Sequence, residues 1–141
     1  MAEPAILHPH AIPVVDRGGG ARTIPLVCCE IGATGLLNGI TEFDPGAAIP
    51  LHYHNCEETV LVLEGSATFE VDGRVFELSA LDTTWVPTGM PHRFLNQSNA
   101  RMRIFWTYSS VDATRTVVAT GETFKIGSAQ DRAGAPRPDR G

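Results

Sequence analysis

The chain has 141 residues, of which 43% are hydrophobic and 19% charged, a composition typical of one folded domain in a length that leaves no room for two. Its 11 basic and 16 acidic residues give a net charge of -5, which argues against the phosphate backbone of a nucleic acid as a partner. No apolar run is long enough to span a membrane and no secretory signal pattern opens the chain, so we expect a cytoplasmic protein without a membrane partner.

The two ends of the chain differ from the middle in composition. Residues 1–22 contain three prolines and a run of three glycines, and we predict an N-terminal arm there. Apart from two prolines, residues 127–141 contain no apolar side chain larger than alanine, which predicts a flexible C-terminal tail. Residues 23–126 then form the single domain.

Within residues 23–126, helical periodicity is nearly absent. Short runs rich in β-branched and aromatic residues recur between turn residues, which predicts an all-β barrel or sandwich. The predicted strands cover residues 24–31, 36–43, 58–63, 67–71, 74–78, 84–86, 92–96, 101–108 and 116–119.

The pair Asp72 and Gly73 separates two alternating runs and predicts a two-residue hairpin turn with positive φ at both positions. That turn would place Phe69 opposite Phe76. A later run, 101–108, alternates apolar and polar residues and predicts a strand with one strongly apolar face. Its tryptophan and tyrosine, Trp106 and Tyr108, could belong to the barrel core or could line a ligand cavity.

Two histidines, His52 and His54, are spaced as ligands of one metal ion, because residues two apart in a strand point to the same face. Glu58 shares their parity and could supply a third ligand. Glu57 is the alternative if the intervening loop breaks the alternation. His92 is the candidate for a fourth ligand, since a turn rich in proline and glycine delivers it to the start of a later strand.

We expect ordinary structural roles for several other residues that could carry chemistry. His8 and His10 repeat the spacing of two, but the surrounding prolines favour an ordinary arm. Asn96 is expected to satisfy backbone groups of a turn, and Cys56 to act as a small buried hydrophobic residue. The chain has three cysteines, an odd number, which argues against a disulfide scaffold.

Two segments resemble the two sequence motifs of the cupin superfamily. All the specified positions of the first motif are present, and so are four of the second: Gly46, His52, His54, Glu58 and Gly65, followed by Pro87, Gly89, His92 and Asn96. One position departs, because Leu81 stands where the family has a glycine. We therefore expect a different backbone in the turn before Asp82. The resemblance implies a single-domain jelly-roll barrel.

The resemblance also implies a metal centre formed by His52, His54, Glu58 and His92. Three imidazoles and one carboxylate suit one divalent transition metal ion per chain, whether Fe, Mn, Ni, Zn, Co or Cu. Such an ion would keep open positions for a small-molecule substrate. Glu58 or a metal-bound hydroxide would be the catalytic base.

Three functions are compatible with such a site. The first is a metal-dependent enzyme acting on a small organic molecule, with a dioxygenase favoured over an isomerase, lyase or cyclase. The second is a sensor or storage module that binds a small molecule without turnover, and the third is an inert structural metal site. The resemblance further implies a homodimer, for which the arm or the outward face of Thr59, Leu61 and Leu63 offers a contact surface.

Overall fold

The computed structural model describes residues 3–129 and residue 131. It confirms the all-β jelly-roll prediction, with two antiparallel sheets of six strands each. The first sheet has the order β1-β2-β3-β10-β5-β8 and the second the order β12-β11-β4-β9-β6-β7. In chain order the strands are β1 Val15–Gly18, β2 Ala21–Pro25, β3 Leu37–Phe43, β4 His52–His54, β5 Glu58–Glu64, β6 Ala67–Val71, β7 Arg74–Leu78, β8 Thr83–Val86, β9 His92–Leu95, β10 Met102–Tyr108, β11 Thr114–Val117 and β12 Thr123–Lys125. Among the described residues, none forms a helix with the length and hydropathy needed to cross a bilayer.

The hairpin of β6 and β7 forms as predicted. Phe69 pairs with Phe76, and Asp72 and Gly73 have φ angles of 49° and 77°. Both values are positive, as the favoured two-residue hairpin turn requires. Because β7 is the edge strand, Phe76 remains partly exposed while Phe69 is buried.

Strand β10 lies at the centre of the first sheet, between β3 and β5. Its alternate residues are buried as predicted, and Trp106 and Tyr108 belong to the hydrophobic core while also lining a cavity. Trp106 donates a hydrogen bond from Nε1 to Thr41 Oγ1 at 2.8 Å. Gly39 faces this indole, and a Cβ there would lie 2.5 Å from the ring, so only glycine fits at this position.

Two of the predicted strands differ from the observed bounds by two residues or more, while the others differ by at most one. The predicted strand 24–31 ends at Pro25 in the sheet, and residues Cys29–Ile31 form a 3-10 turn that ends at Gly32 with φ 98°. Left-handed backbone of this kind terminates helical turns and cannot continue a strand. The strand predicted over 116–119 is instead Thr114–Val117, so Arg115 lies inside it.

The ends of the chain contribute to the barrel. β1 lies inside the range 1–22 that was predicted as an arm, and pairs with β2. Asp131 is buried, although it lies in the range 127–141 predicted as a tail. Residues 130 and 132–141 of that range lie outside the described residues. On the face predicted for dimer contact, Thr59 is exposed while Leu61 and Leu63 are half-buried, and the homodimer stays a prediction.

Leu81 corrects an expectation about the backbone of the turn before Asp82. Its φ angle is 79°, so the leucine adopts the left-handed conformation that a glycine would adopt. The side chain is 75% exposed and therefore gains little from packing. The expected change of backbone at this position was therefore wrong. The amide of Leu81 donates a hydrogen bond to Val62 O at 2.7 Å, and this contact holds the turn.

Replacing Leu81 with glycine is expected to stabilise the protein. Relief of the left-handed strain is worth roughly 1–2 kcal/mol, and the greater freedom of glycine in the unfolded chain offsets about 0.5–1 kcal/mol. The melting temperature should therefore rise by about 2 °C. Leu81→Ala is the matched control, since it keeps the Cβ and hence the strain. Equal melting temperatures for the two variants would contradict this explanation.

Candidate metal centre

Three strands bring the predicted site residues together inside the barrel. His52 and His54 lie on β4, Glu58 begins β5 and His92 begins β9, where it pairs directly with His52. The imidazole rings of the three histidines lie 4.6 to 5.0 Å apart between centroids. One nitrogen atom from each ring lies within 4.8 Å of the others, and all four side chains are buried.

Backbone carbonyl groups fix the orientation of each imidazole. The Nδ1 atoms of His52, His92 and His54 lie 2.6, 2.8 and 2.9 Å from the carbonyl oxygens of Pro50, Met90 and Thr114. A carbonyl oxygen can only accept, so each Nδ1 carries a proton and donates it. Each Nε2 is then the nitrogen available to a metal ion.

The donor set fits a divalent transition metal. Nε2 of His54 is buried and has no hydrogen-bond partner among the described residues. A buried polar atom without a partner is costly, and a metal ion would remove this cost by using the Nε2 lone pair. His52, His54 and His92 are therefore the residues that could hold the ion, and their assignment as ligands stays a prediction.

Glu58 lies beside this group of histidines. Its Oε1 atom is 2.8 Å from His92 Nε2 and 3.7 Å from His54 Nε2. Glu57, the alternative considered from the sequence, is exposed on the outside of the barrel and accepts a hydrogen bond from Trp85 Nε1 at 2.9 Å. The alternation of β4 thus continues through the loop into β5.

Burial and mutual charge control the protonation of these groups. Burial, together with the neighbouring His92 and His54, holds the pKa of His52 well below its ordinary value. Burial also opposes protonation of His92, but the Glu58 carboxylate overcomes it and raises the pKa of His92. Burial favours a protonated Glu58, yet the hydrogen bond from His92 and the charges of both nearby imidazoles lower the pKa of this carboxyl.

Metal affinity is expected to depend on pH through His92. Metal binding must displace the proton that His92 Nε2 shares with Glu58, and the raised pKa of His92 places this step above the ordinary value of about 6.5. Below that pKa the affinity should fall about tenfold per pH unit, because one proton is released per ion. Competition against a chromophoric chelator over about pH 5.5 to 8 measures this slope.

Glu58→Gln provides the control for the pH dependence. The substitution removes the carboxylate that raises the pKa of His92, so the midpoint of the pH dependence should move to lower pH. An affinity that does not vary with pH in the unmodified protein would contradict protonation of His92 as the cause.

A cavity of about 350 Å³ extends from the site through the barrel. Its volume lies within the range of small-molecule binding pockets. The polar groups at the site end include His52, Glu58, His92 and the Tyr108 hydroxyl. The apolar part of the wall includes Leu37, Ile49, Phe94, Ile104, Trp106 and Val111.

Tyr108 connects the apolar wall to the polar groups. Its ring lies 4.6 Å from the His54 ring and its hydroxyl is hydrogen-bonded to Glu58. Burial and the charge of Glu58 hold the pKa of Tyr108 well above its ordinary value, so the hydroxyl remains protonated. The sequence allowed Tyr108 to belong either to the core or to the cavity wall, and in the structure it belongs to both.

Sequence reasoning missed three charged residues that also line the cavity: Arg17, Arg115 and Asp131. Arg115 is the register partner of His54 across β11 and β4, which places it on the inner face. Arg115 lies in a run where apolar and polar residues alternate, and this alternation could have indicated that its side chain faces inward. The predicted strand, however, began one residue later, at position 116. Arg17 and Asp131 fell in the ranges expected to be an arm and a tail.

The residues for which the sequence predicted only structural roles lie away from the metal centre or support the fold. His8 and His10 are exposed around a short 3-10 turn near the N-terminus. Asn96 is buried and donates from Nδ2 to Phe43 O and Ala100 O, as expected for a residue that satisfies a turn. Cys56 is buried in the hydrophobic core, where burial raises the pKa of its thiol.

Comparison with known proteins gives matches in sequence and in structure. Residues 39–108 match the family described as a cupin domain. The chain is 37% identical over 98 residues to the polyketide synthase CurC of Streptomyces cyaneus, which covers 69% of this chain. It is 32% identical over 94 residues to the tetracenomycin polyketide synthase protein TcmJ of Streptomyces glaucescens, which covers 66% of this chain. The chain spans 63% of the length of each of these two relatives.

A solved structure gives a fold likeness over nearly the whole chain. The polyketide cyclase RemF from Streptomyces resistomycificus matches with a TM-score of 0.72 and 18% identity, covering 92% of this chain and 89% of that one. At this identity the likeness supports the jelly-roll fold and leaves the chemistry to be argued from the site.

Proposed function

This chain belongs to the cupin superfamily, and on that premise we propose that it is a metal-dependent enzyme that cyclises an aromatic polyketide intermediate. The observation that carries the proposal is the cavity, because its apolar wall leads to a buried group of three imidazoles, one carboxylate and one tyrosine hydroxyl. Two curated relatives named as polyketide synthase proteins support this substrate class.

His52, His54 and His92 would hold the metal ion, with Glu58 beside them. When bound, a divalent transition metal would act as a Lewis acid toward a carbonyl or enolate oxygen of the substrate. Nothing in the described donor set favours Mg²⁺ or Ca²⁺, since these ions prefer oxygen ligands.

Glu58 is the proposed base. The hydrogen bond from the Tyr108 hydroxyl holds its carboxylate in place, and a bound divalent cation would keep that carboxylate ionised once the His92 proton has been displaced. The carboxylate would accept a proton from a carbon that lies between two carbonyl groups, where C–H acidity is highest. The apolar wall excludes bulk water from this transfer.

The proposed step balances without an added oxidant or reductant. The carbanion left by proton removal attacks a second carbonyl carbon of the same molecule, so one C–C bond forms. The electrons of the attacked C=O bond move to its oxygen, which takes up the proton from Glu58. Glu58 returns to its ionised state, and loss of one water would then make the new ring aromatic.

The aromatic part of the wall suits a planar product. Phe94 and Trp106 line the cavity from opposite sheets, on β9 and β10. Aromatic rings gain from offset or edge contacts with other rings. A folded poly-ketone held between these side chains would have its reacting carbons close together, which lowers the entropic cost of ring closure.

Mass spectrometry with oxygen measurement tests the proposed function. Protein loaded with Fe(II), Mn(II), Ni(II) or Zn(II) is incubated with linear poly-β-ketone acids and their thioesters, and with enols and catechols as comparison substrates. We expect a cyclic product with the mass of its substrate, or lighter by one water, and no oxygen uptake.

The alternatives give different results in the same assay. Oxygen consumed in proportion to product would replace the cyclase with the dioxygenase favoured by the sequence. A shift in melting temperature on ligand addition, without product, would indicate a binding module. Stabilisation by metal alone, with no small molecule bound, would indicate a structural metal site.

A further inference from the structure

A second polar cluster lies in the wall of the cavity, formed by Arg17, Arg115 and Asp131. The three residues are 5%, 3% and 9% exposed. Nη1 of Arg115 lies 2.5 Å from Asp131 Oδ1, and Nη2 of Arg17 lies 3.3 Å from the same oxygen. Nε of Arg17 also donates to the main-chain oxygen of Asp131 at 3.2 Å.

The charges of this cluster do not balance. Two guanidinium groups share one carboxylate, and Nε of Arg115 is buried without a hydrogen-bond partner among the described residues. Arginine stays protonated in proteins, so the excess positive charge cannot be relieved by losing a proton. A buried cation without a counter-ion is costly unless an anion is bound at least part of the time.

Other charged residues along the cavity do not supply the missing anion. Glu58 is engaged by His92 at 2.8 Å. Glu30 and Lys125 also line the cavity, but both are exposed, so water screens them. Among the described cavity residues, no further carboxylate is therefore available to the arginine pair.

The cluster is next to the candidate metal centre. Arg115 pairs with His54 across β11 and β4, and Arg17 lies on β1 at the edge of the opposite sheet. Both arginines line the same cavity as His52, His92 and Glu58. A molecule that fills the cavity would therefore touch the arginines and the metal centre at once.

We propose that Arg17 and Arg115 form a binding subsite for a carboxylate group of the substrate. The ligand carboxylate is the second anion that the two guanidinium groups lack. Guanidinium groups bind carboxylates with paired, charge-assisted hydrogen bonds, which makes arginine suited to this task. The ligand is then an aromatic or polyketide acid, with its rings against the apolar wall.

This inference deepens the proposed function by naming its substrate class, and it rests on that function for the ring system. Recognition of a carboxylate does not depend on metal or turnover. The test therefore uses the full chain freed of metal by chelation, so that an ion cannot bind the carboxylate instead. Isothermal titration compares 3-hydroxy-2-naphthoate with its uncharged analogue, 3-hydroxy-2-naphthamide.

We expect the naphthoate to bind at least about tenfold more tightly than the naphthamide, a difference typical of one satisfied charge-assisted hydrogen bond. Arg115→Gln should abolish this difference, because it weakens naphthoate binding much more than naphthamide binding. Asp131→Asn should have the opposite effect and tighten naphthoate binding severalfold, because it removes the anion that competes for the arginines. Arg115→Lys should restore part of the preference.

Equal affinities for the two ligands in the unmodified protein would overturn the inference. So would an Asp131→Asn variant that is folded by circular dichroism and binds the naphthoate more weakly, since a purely structural cluster predicts that result. Arg17→Lys, which keeps the charge, serves as a second variant if Arg115→Gln does not fold. Failure of the cyclase proposal appears separately, as naphthoate binding without product from poly-ketone substrates.

Discussion

Replacing His52 or His92 with alanine is expected to reduce the bound divalent metal from about one ion per chain to none. Each substitution removes one of three Nε2 donors that converge in the barrel, and two imidazoles hold a transition metal far more weakly than three. Affinity should fall by more than the roughly 10- to 100-fold typical of losing a mere supporting hydrogen bond. Turnover should fall to background with it.

Elemental analysis of protein purified without added metal measures this effect. His8→Ala and His10→Ala are the matched controls, because these residues have the same spacing of two positions but are exposed near the N-terminus. Both controls should retain full occupancy. Unchanged metal content in His52→Ala and His92→Ala would mean that these residues are not the ligands, and any metal would then have to be sought elsewhere in the chain.

A change in stability must be separated from the loss of metal. The buried imidazoles also donate hydrogen bonds to Pro50 O and Met90 O, so alanine would leave these carbonyls without partners. His52→Gln and His92→Gln keep side-chain amide donors at these positions and lack an imidazole lone pair. A folded glutamine variant without metal would assign the effect to ligation.

The strand pattern explains why much of the site could be predicted from sequence. The period of two in an extended chain puts His52 and His54 on one face of β4, and the structure brings Glu58 from β5 and His92 from β9 beside them. The hairpin at Asp72 was predictable for a similar reason, since its turn chemistry is local.

The arginine cluster could not be predicted, because its members are distant in sequence. Arg17 and Asp131 are 114 positions apart, and only the order of strands within the two sheets brings them together. Nothing local in either segment indicates a buried ion pair, and prolines and glycines around both favoured exposed ends. Their burial depends on long-range topology, which a local pattern does not encode.

Leu81 illustrates a different limit of sequence reasoning. A leucine in place of a glycine suggested a new backbone, since left-handed conformations are costly for residues with a Cβ. The structure keeps the glycine-like conformation at φ 79° and so accepts the strain. The hydrogen bond from Leu81 N to Val62 O offsets a conformational cost of similar size. A scale of residue propensities does not include that contact.

Replacing Glu58 with glutamine is expected to lower turnover by about 10²- to 10⁴-fold, the usual contribution of a positioned general base. The amide has nearly the same shape, and its oxygen can still accept a hydrogen bond from the Tyr108 hydroxyl. It cannot take up the substrate proton. The loss should therefore fall on kcat, with a smaller change in KM.

Metal content separates the two roles open to Glu58. If Glu58 acts only as a base, Glu58→Gln keeps about one ion per chain and loses turnover. If it is also a ligand, metal affinity falls as well, since an amide oxygen binds transition metals more weakly than a carboxylate. Glu57→Gln is the matched control, because its carboxylate is one position away and faces outward to Trp85. Full turnover in Glu58→Gln would exclude this residue as the base and leave the proton transfer to another group in the cavity.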